Sequence, residues 1–582
     1  MLKYEDYISS RPDHPWQNFA QMLDFISREH ANKDAILYRS GKQKEFTRWT
    51  YSRFGDECRR VARGLLAAGL VKGDRVVLWA ENRPEWMAIW MGTVIAGIYI
   101  VPVDFLATEQ ECLNIIKITK AKAFFYSGRK KDFAANLSKN GVSLSLTVCV
   151  SHEDEDAPAD QNTEYYKFGK NADGQQLPPI DSIAPDHPCS IVFTSGTTGF
   201  AKGVTLSHRN IILNASGAIR ILNPTKDDVF MDVLPLHHTY PTTCSFIAPI
   251  SVGIPTVIAE KIVGKIVVDT IRDGGVTFLI AVPLLYDKVM AAIDAGYKKL
   301  SPILRGPLNI LRSIALAQAK KGNPRFGQKV FRFIRKKASL QSLGIMVAGG
   351  GPLSPKTADF FDSFGFNIVH GYGMSENSPL ITVNTPYHKR NESVGLPISY
   401  TELKIVEPGP DGIGEIACKS PCIMLGYYEN EEATKEIITD DGWLLTGDLG
   451  YIDELGYLYI RGRKKNLIVG AGGKNIYPEE VESHFSGSRS ILEVLVVGRK
   501  TSGGEVIYAV MVPNYEFIKL DHPGKENDET FINDLIKKEV DEANRSLPVY
   551  KKISDFCVRK EQFEKNAQQK IRRFLYKSYE NP

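Results

Sequence analysis

Ile191-Val-Phe-Thr-Ser-Gly-Thr-Thr-Gly-Phe-Ala-Lys-Gly203 joins an apolar run to a loop of glycines, hydroxyls and one lysine. The run Ser190–Phe193 reads as a strand, and a second short strand and a helix from Ser207 follow. Gly196, Gly199 and Gly203 let the backbone bend around an anion and turn its N–H groups toward it. Thr194, Ser195, Thr197 and Thr198 can donate to phosphate oxygens or meet a metal, and Lys202 adds a mobile positive charge. The loop is not the nucleotide loop ending in Lys-Ser or Lys-Thr, because Gly203 follows Lys202.

Working outward, the same alternation of strand and helix recurs. Tyr51–Ala68 has helical spacing, Arg75–Trp79 reads as a strand, a helix starts near Pro84, and Tyr99–Val103 reads as the next strand. Val229–Leu234, Thr256–Ala259 and Phe278–Val282 continue the pattern. Such alternation predicts βαβ units on a mainly parallel sheet. The apolar stretch Met87–Val103 contains Gly92, Gly97 and Pro102 and is shorter than the ~20 residues a membrane span needs. It reads as a buried helix followed by a buried strand. From Glu392 short strands alternate with glycine turns, as in Leu403–Val406, Gly414–Lys419 and Gly456–Ile460. A compact α+β segment follows Arg461-Gly-Arg-Lys-Lys465.

The expected fold class is therefore α/β. It has a large N-terminal domain of mainly parallel α/β subdomains over residues 1–462, with a small β-barrel-like unit at about 392–462. A hinge at 463–465 and a small mobile α+β lid over 466–582 complete it. A chain of 582 residues is too long for a single core. Net charge of +4 gives no reason to expect nucleic acid. The eight cysteines are scattered, so they read as free thiols in a reducing compartment. No apolar leader opens the chain, and the expected location is cytoplasmic, with a peripheral contact at the inner face of a membrane.

Further motifs lie downstream. Gly349-Gly-Gly-Pro-Leu353 follows an apolar strand, where glycines let a ligand approach the backbone. His370-Gly-Tyr-Gly-Met-Ser-Glu376 sets an aromatic that can stack on a purine four residues before a carboxylate that can hold Mg²⁺. Leu234-Pro-Leu-His-His-Thr-Tyr240 carries two adjacent histidines. Neighbours on a strand end point to opposite faces, and no third ligand stands at suitable spacing. Trp443-Leu-Leu-Thr-Gly-Asp448 and Tyr459-Ile-Arg-Gly-Arg463 supply a carboxylate and a guanidinium for ribose and phosphate oxygens. Gly472-Gly-Lys474 opens a thin turn, and Lys570 stands near the end. Taken singly, each of these is an ordinary turn or strand end.

Taken in order, they resemble the adenylate-forming superfamily of acyl-CoA synthetases, luciferases and adenylation domains, most closely the AMP-forming long-chain fatty acid:CoA ligases. The resemblance runs from about Phe46 to Lys570. It implies an ATP-dependent ligase that activates a carboxylic acid as acyl-AMP and passes it to coenzyme A. It implies catalytic roles for Lys570, Glu376, Lys202 and Thr194, with Thr194 and Glu376 at Mg²⁺. It implies nucleotide contacts from Thr194 through Gly199, Lys202, Gly350, Gly351, Pro352, His370 through Glu376, Asp448, Ile460, Arg463 and Lys570. His238, Thr239 and Gly349 would line the acyl pocket, Gly472, Gly473 and Lys474 would meet CoA, and Lys465 would be the hinge. Glu564 and Gln569 stand where the family has Pro and Gly.

The acid is read from the segment between Tyr297 and Leu343, which resembles the helical insertion of long-chain enzymes. From Lys298 to Lys337 there are 12 Lys and Arg, with no Asp or Glu between Asp294 and Asp359. Apolar residues interleave with these cations. The reading is either a basic amphipathic surface on an anionic membrane or a solvated basic face. Rival functions are an acyl-carrier-protein ligase, an aryl-acid:CoA ligase, and a protein that binds ATP without turnover. The oligomeric state is not written in the sequence.

Overall fold

The computed structural model describes residues 8–9, 14–39, 43–151, 164–194, 201–470, 474–485, 487–501, 504–565 and 571–580. Two compact units divide the chain. The first comprises residues 1–350, 358–402 and 418–444, and the second comprises 351–357, 403–417 and 445–582.

The first unit is built on two large sheets. One has nine strands, with Asn367–Gly373, Ile345–Ala348, Phe278–Ala281, Phe230–Asp232, Thr256–Ile258 and Asp34–Tyr38 parallel in that spatial order. The other has seven, where Tyr99–Pro102, Arg75–Trp79, Ala123–Tyr126 and Leu146–Cys149 run parallel. Antiparallel strands close both edges of the first sheet and one edge of the second. These strands are nearly continuous apolar runs, as sheets covered on both faces require. The helices Phe19–Glu29, Tyr51–Ala67 and Pro84–Ile95 carry the largest core, which includes Trp49, Trp86, Trp90, Phe54 and Phe246. Every residue of Pro84–Ile95 is buried, which accounts for the uninterrupted apolar sequence there. No described helix is long and apolar enough to cross a membrane.

In the second unit, Glu402–Val406, Gly414–Lys419, Leu444–Ile452 and Leu458–Arg463 form an open four-stranded sheet. This corrects the barrel-like expectation. The edge strands Glu402–Val406 and Leu458–Arg463 do not pair with each other, so no closed barrel exists among the described residues. A three-stranded sheet of Ile491–Thr501, Gly504–Pro513 and Asp555–Val558 packs beneath the helix Glu529–Ser546 through Ile532, Ile536 and Val540. All eight cysteines are free thiols, and Cys418 and Cys422 are buried.

Candidate active site

The first unit assembles its site on strand ends. The strand Pro188–Thr194 returns antiparallel as Lys202–Ser207, with Thr194 opposite Lys202. Both residues thus stand side by side, and the Thr194 hydroxyl donates to the Lys202 carbonyl at 3.4 Å. Ser195, Gly196, Thr197, Thr198 and Gly199 lie outside the described residues. On the other edge of Lys202–Ser207 the short strand Gly426–Tyr427 pairs through Tyr427 and Val204. That places the Lys202 ammonium 4.9 Å from the Tyr427 ring centroid. The Tyr427 hydroxyl donates to Glu376 Oε1 at 2.7 Å. Burial, with the Glu376 carboxylate beside it, pushes the Tyr427 phenol well above its ordinary value, so it stays a proton donor. A continuous set of contacts therefore runs from Thr194 through Lys202 and Tyr427 to Glu376. A cleft of about 350 Å³ opens beside Lys202 and Tyr427, lined also by Phe193, Gly203 and Tyr428. A second cleft, of about 410 Å³, lies between Lys298 and Arg312 and has no nucleotide-motif residue in its lining.

Tyr427 was not singled out in the sequence. The available signal was Gly426-Tyr427-Tyr428, and it carries meaning only once that strand is known to pair beside Lys202.

Glu376 is held from several sides. The Met424 N–H donates to the Glu376 carbonyl at 2.8 Å. Thr239 Oγ1 and Ser375 Oγ lie 3.1 Å apart, and Thr243 Oγ1 donates to the Ser378 carbonyl at 2.8 Å. Asn214, on the helix His208–Leu222, donates to the carbonyls of Asn377 and Leu380 at 2.9 and 2.8 Å. Ser375 begins a short 3₁₀ turn capped by Met374, not by its own hydroxyl. His370, Gly371, Tyr372 and Gly373 lie on the strand Asn367–Gly373, with Tyr372 opposite Thr382. A Cβ on Gly373 would stand 2.1 Å from the Pro379 carbonyl oxygen, so only glycine lets this strand turn into the carboxylate loop.

His237 and His238 correct the expectation of opposite faces. The strand ends at Asp232, so the two residues sit in a turn where strand alternation no longer applies. Their rings lie against each other at a tilt of 49°, with centroids 3.9 Å apart. Burial holds His237 down to about 3 and keeps His238 well below its ordinary value. Both imidazoles are neutral, and the Nε2 atoms of both are buried without a hydrogen-bond partner. His238, Thr239 and Ser375 are thus brought to one place. Gly349 is near as well, but the Tyr240 ring fills the space above it, 2.7 Å from where a Cβ would be. Gly350 has φ of +79°, which the turn after Ile345–Ala348 requires.

The second unit gathers its own group. Asp448 and Arg463 face each other across antiparallel strands, and Arg463 Nε is 2.7 Å from Asp448 Oδ1. Ile460 lies on the same strand as Arg463. Lys464 Nζ pairs with Glu415 at 2.7 Å. Lys465 is half-buried, and burial with Arg463 and Arg573 nearby holds its ammonium below the ordinary value. Gly351 and Pro352 belong to this unit. Lys474 is described and exposed, whereas Gly472, Gly473 and Lys570 lie outside the described residues. Lys565 Nζ is 2.5 Å from buried Glu493 Oε1, so it serves as an anchor. Ile571, next to Lys570, packs on the core of Leu495, Val510 and Phe563.

The donor set around Glu376 fits Mg²⁺. No group of three or more His, Cys, Asp or Glu that could hold an ion exists among the described residues. Mg²⁺ is commonly held by one or two carboxylates, with substrate phosphates and water completing the shell. Glu376 is one such carboxylate, joined through Tyr427 to the strand that carries Lys202.

The pattern of the AMP-binding enzymes matches residues 24–428, well over half of the sequence. The chain belongs to the AMP-binding enzyme family. Among family relatives, a putative acyl-CoA synthetase, YngI, of Bacillus subtilis (strain 168) is 28% identical over 82% of this chain and 84% of its own length. The long-chain-fatty-acid–CoA ligase ACSBG2 of Gallus gallus is 29% identical over 80% of this chain, which covers 64% of that protein. The fold is that of the crystallised anthranilate CoA ligase AuaEII in complex with anthranoyl-AMP, with TM-score 0.77 and 22% identity over 100% of this chain and 99% of that one.

Proposed function

We propose that this AMP-binding enzyme is an ATP-dependent acid:CoA ligase that works through an acyl-adenylate, and that its acid is a long-chain fatty acid. The observation that carries the ligase reading is the contact set Thr194–Lys202–Tyr427–Glu376. The chain-length reading is supported by the helical segment after Tyr297 and by relatives such as the chicken ligase.

A carboxylate has no good leaving group. Its oxygen therefore attacks the α-phosphorus of ATP, a C–O–P linkage forms, and the bond to pyrophosphate breaks. Negative charge collects on phosphoryl oxygens in the transition state. Lys202 and Thr194, paired in register on neighbouring strands, are proposed to meet that charge together with Lys570. Glu376 and Thr194 would hold Mg²⁺, which would supply further neutralisation of that charge. The thiolate of CoA then attacks the acyl carbon, a C–S bond forms, and AMP leaves. Neutral His237 and His238 add no charge beside the acyl carboxylate, so they shape the pocket without competing for it. Asp448 and Arg463 are proposed to hold ribose and phosphate, Gly472, Gly473 and Lys474 to meet CoA, and residues 466–582 to turn at Lys465 between the two steps.

Pyrophosphate release, with palmitate, anthranilate or no acid, and with or without CoA, tests this. The reading expects palmitate-dependent release, with palmitoyl-CoA formed when CoA is present. Release with anthranilate alone would favour an aryl-acid ligase, a reading motivated by the fold shared with AuaEII. Tight ATP binding without release would end the ligase reading.

A further inference from the structure

The helix Pro302–Lys320 is unusual in showing an apolar stripe to solvent as well as to the protein. Its inner side buries Ala315 and Ala319. Its outer side carries Ile303, Ile310 and Ile314, whose exposures are 86, 65 and 40%. Spacings of seven and four residues put these three on one line along the helix. Phe333, on the following helix Arg332–Lys337, is 54% exposed. Isolated exposed apolar residues need no explanation, but a stripe repeated at helical spacing does.

Around these residues the charge has one sign. Of the twelve cations between Lys298 and Lys337, nine are exposed, and only Arg305, Arg312 and Arg335 turn inward. Arg312 stacks on Phe364, 4.3 Å from the ring centroid. Arg335 is buried and donates to the carbonyls of Gly365 and Leu343, so it is a strut and not part of the surface. Lys298 pairs with Asp294, and Lys320 with Asp359. Among the described residues no carboxylate pairs with Lys321, Lys329, Arg332, Lys336 or Lys337.

We propose that the surface of residues 299–337 docks on an anionic phospholipid membrane, with Ile303, Ile310, Ile314 and Phe333 entering the interface and Lys329, Arg332, Lys336 and Lys337 meeting lipid phosphates. Charge complementarity selects this occupant. A second copy of the chain would bring an equally cationic face against this one, which like-charge repulsion opposes. A lipid surface satisfies both features at once, since cations near an anionic leaflet gain about 1 kcal/mol each and aliphatic side chains gain by leaving water. This inference does not depend on the ligase reading, because membrane binding is measured without nucleotide or acid.

The test is co-sedimentation of the full chain with vesicles of phosphatidylcholine alone or mixed with phosphatidylserine, at 0.1 M and 1 M salt. One variant is Lys329→Gln/Arg332→Gln/Lys336→Gln/Lys337→Gln, and the other is Ile303→Ser/Ile310→Ser/Ile314→Ser. Circular dichroism and thermal unfolding check that both stay folded. Wild type should bind only the anionic vesicles and release them at 1 M salt, where the screening length shortens from ~10 Å to ~3 Å. The charge variant should partition at least ~100-fold more weakly, at about fivefold per charge. The serine variant should lose about tenfold or more even at low salt. Equal binding by all three proteins, or none by wild type, overturns the proposal. So does a dimer that sediments alone and dissociates in the serine variant, because the stripe would then be a protein interface.

Discussion

Glu376 shows how a single carboxylate is made useful. Its carbonyl, its neighbours Ser375 and Ser378, and one of its own oxygens are each tied to a different element. Glu376→Gln keeps the shape and removes the charge. Pyrophosphate release should fall about 10²–10³-fold while nucleotide binding weakens far less. Activity that ignores both the substitution and a magnesium titration would remove Glu376 from the metal site. Tyr427→Phe removes only the hydrogen bond to the carboxylate, and a fall of about tenfold with a raised magnesium requirement is expected.

A different residue sets an acid limit. Burial holds His208 down to about 3, and its Nδ1 accepts the Phe19 N–H at 3.2 Å. The folded form keeps this ring neutral, whereas the unfolded chain protonates it near 6.5. Between pH 6.5 and 3 the unfolded state holds one extra proton, so stability is full above pH 6.5 and falls as pH drops, by about 1.4 kcal/mol per unit for this group. His208→Gln should therefore flatten the stability–pH slope of the first unit by one proton between pH 6.5 and 5. Tryptophan fluorescence during urea unfolding reports on that unit alone, because Trp16, Trp49, Trp79, Trp86, Trp90 and Trp443 all lie in it. An unchanged slope would mean that His208 is protonated in the fold.

At the scale of elements, the same substitution should change sign with its surroundings. Gly92 lets Pro84–Ile95 touch Tyr51–Ala67, and a Cβ there would lie 2.6 Å from the Cys58 carbonyl oxygen. Gly92→Ala forces two packed helices apart and should cost about 1–3 kcal/mol. Gly296 lies in the helix Pro283–Lys298 with nothing within 4 Å of its Cβ position, and no proline follows it. Gly296→Ala should stabilise by up to about 1 kcal/mol, since only helix propensity changes there. Urea midpoints measure both, and shifts in the same direction would contradict this account of the two contacts.

For the whole molecule, the question is how one bound adenylate serves two reactions. Lys570 is proposed to act only on phosphoryl transfer. Lys570→Ala should lose acyl-adenylate formation by about 10²-fold or more, yet still convert supplied acyl-adenylate to thioester. Normal adenylate formation by that variant would assign the work to another cation. Lys565→Ala should instead lower the thermal stability of the second unit, because buried Glu493 would lose its cation and keep only the Phe563 N–H.

The alternation of apolar strands with helices was legible in the sequence because strands covered on both faces must be apolar throughout, and the observed Arg75–Trp79 and Tyr51–Ala67 elements follow from it. The sequence also named Thr194 and Lys202 as residue types suited to phosphate, and strand pairing sets the two opposite each other. What spacing could not supply was pairing between distant strands. Tyr427 reaches Glu376 only because Gly426–Tyr427 joins the edge beside Lys202. His237 and His238 share one side only because the strand stops at Asp232. The four strands after Glu402 stay an open sheet because their edges do not meet. In the basic segment, composition named twelve cations, but only packing shows that Arg335 turns inward while Ile303 and Ile310 face out. Local sequence determines which groups a segment offers, and tertiary contacts decide which of them meet, because burial and strand pairing act between residues that the chain keeps far apart.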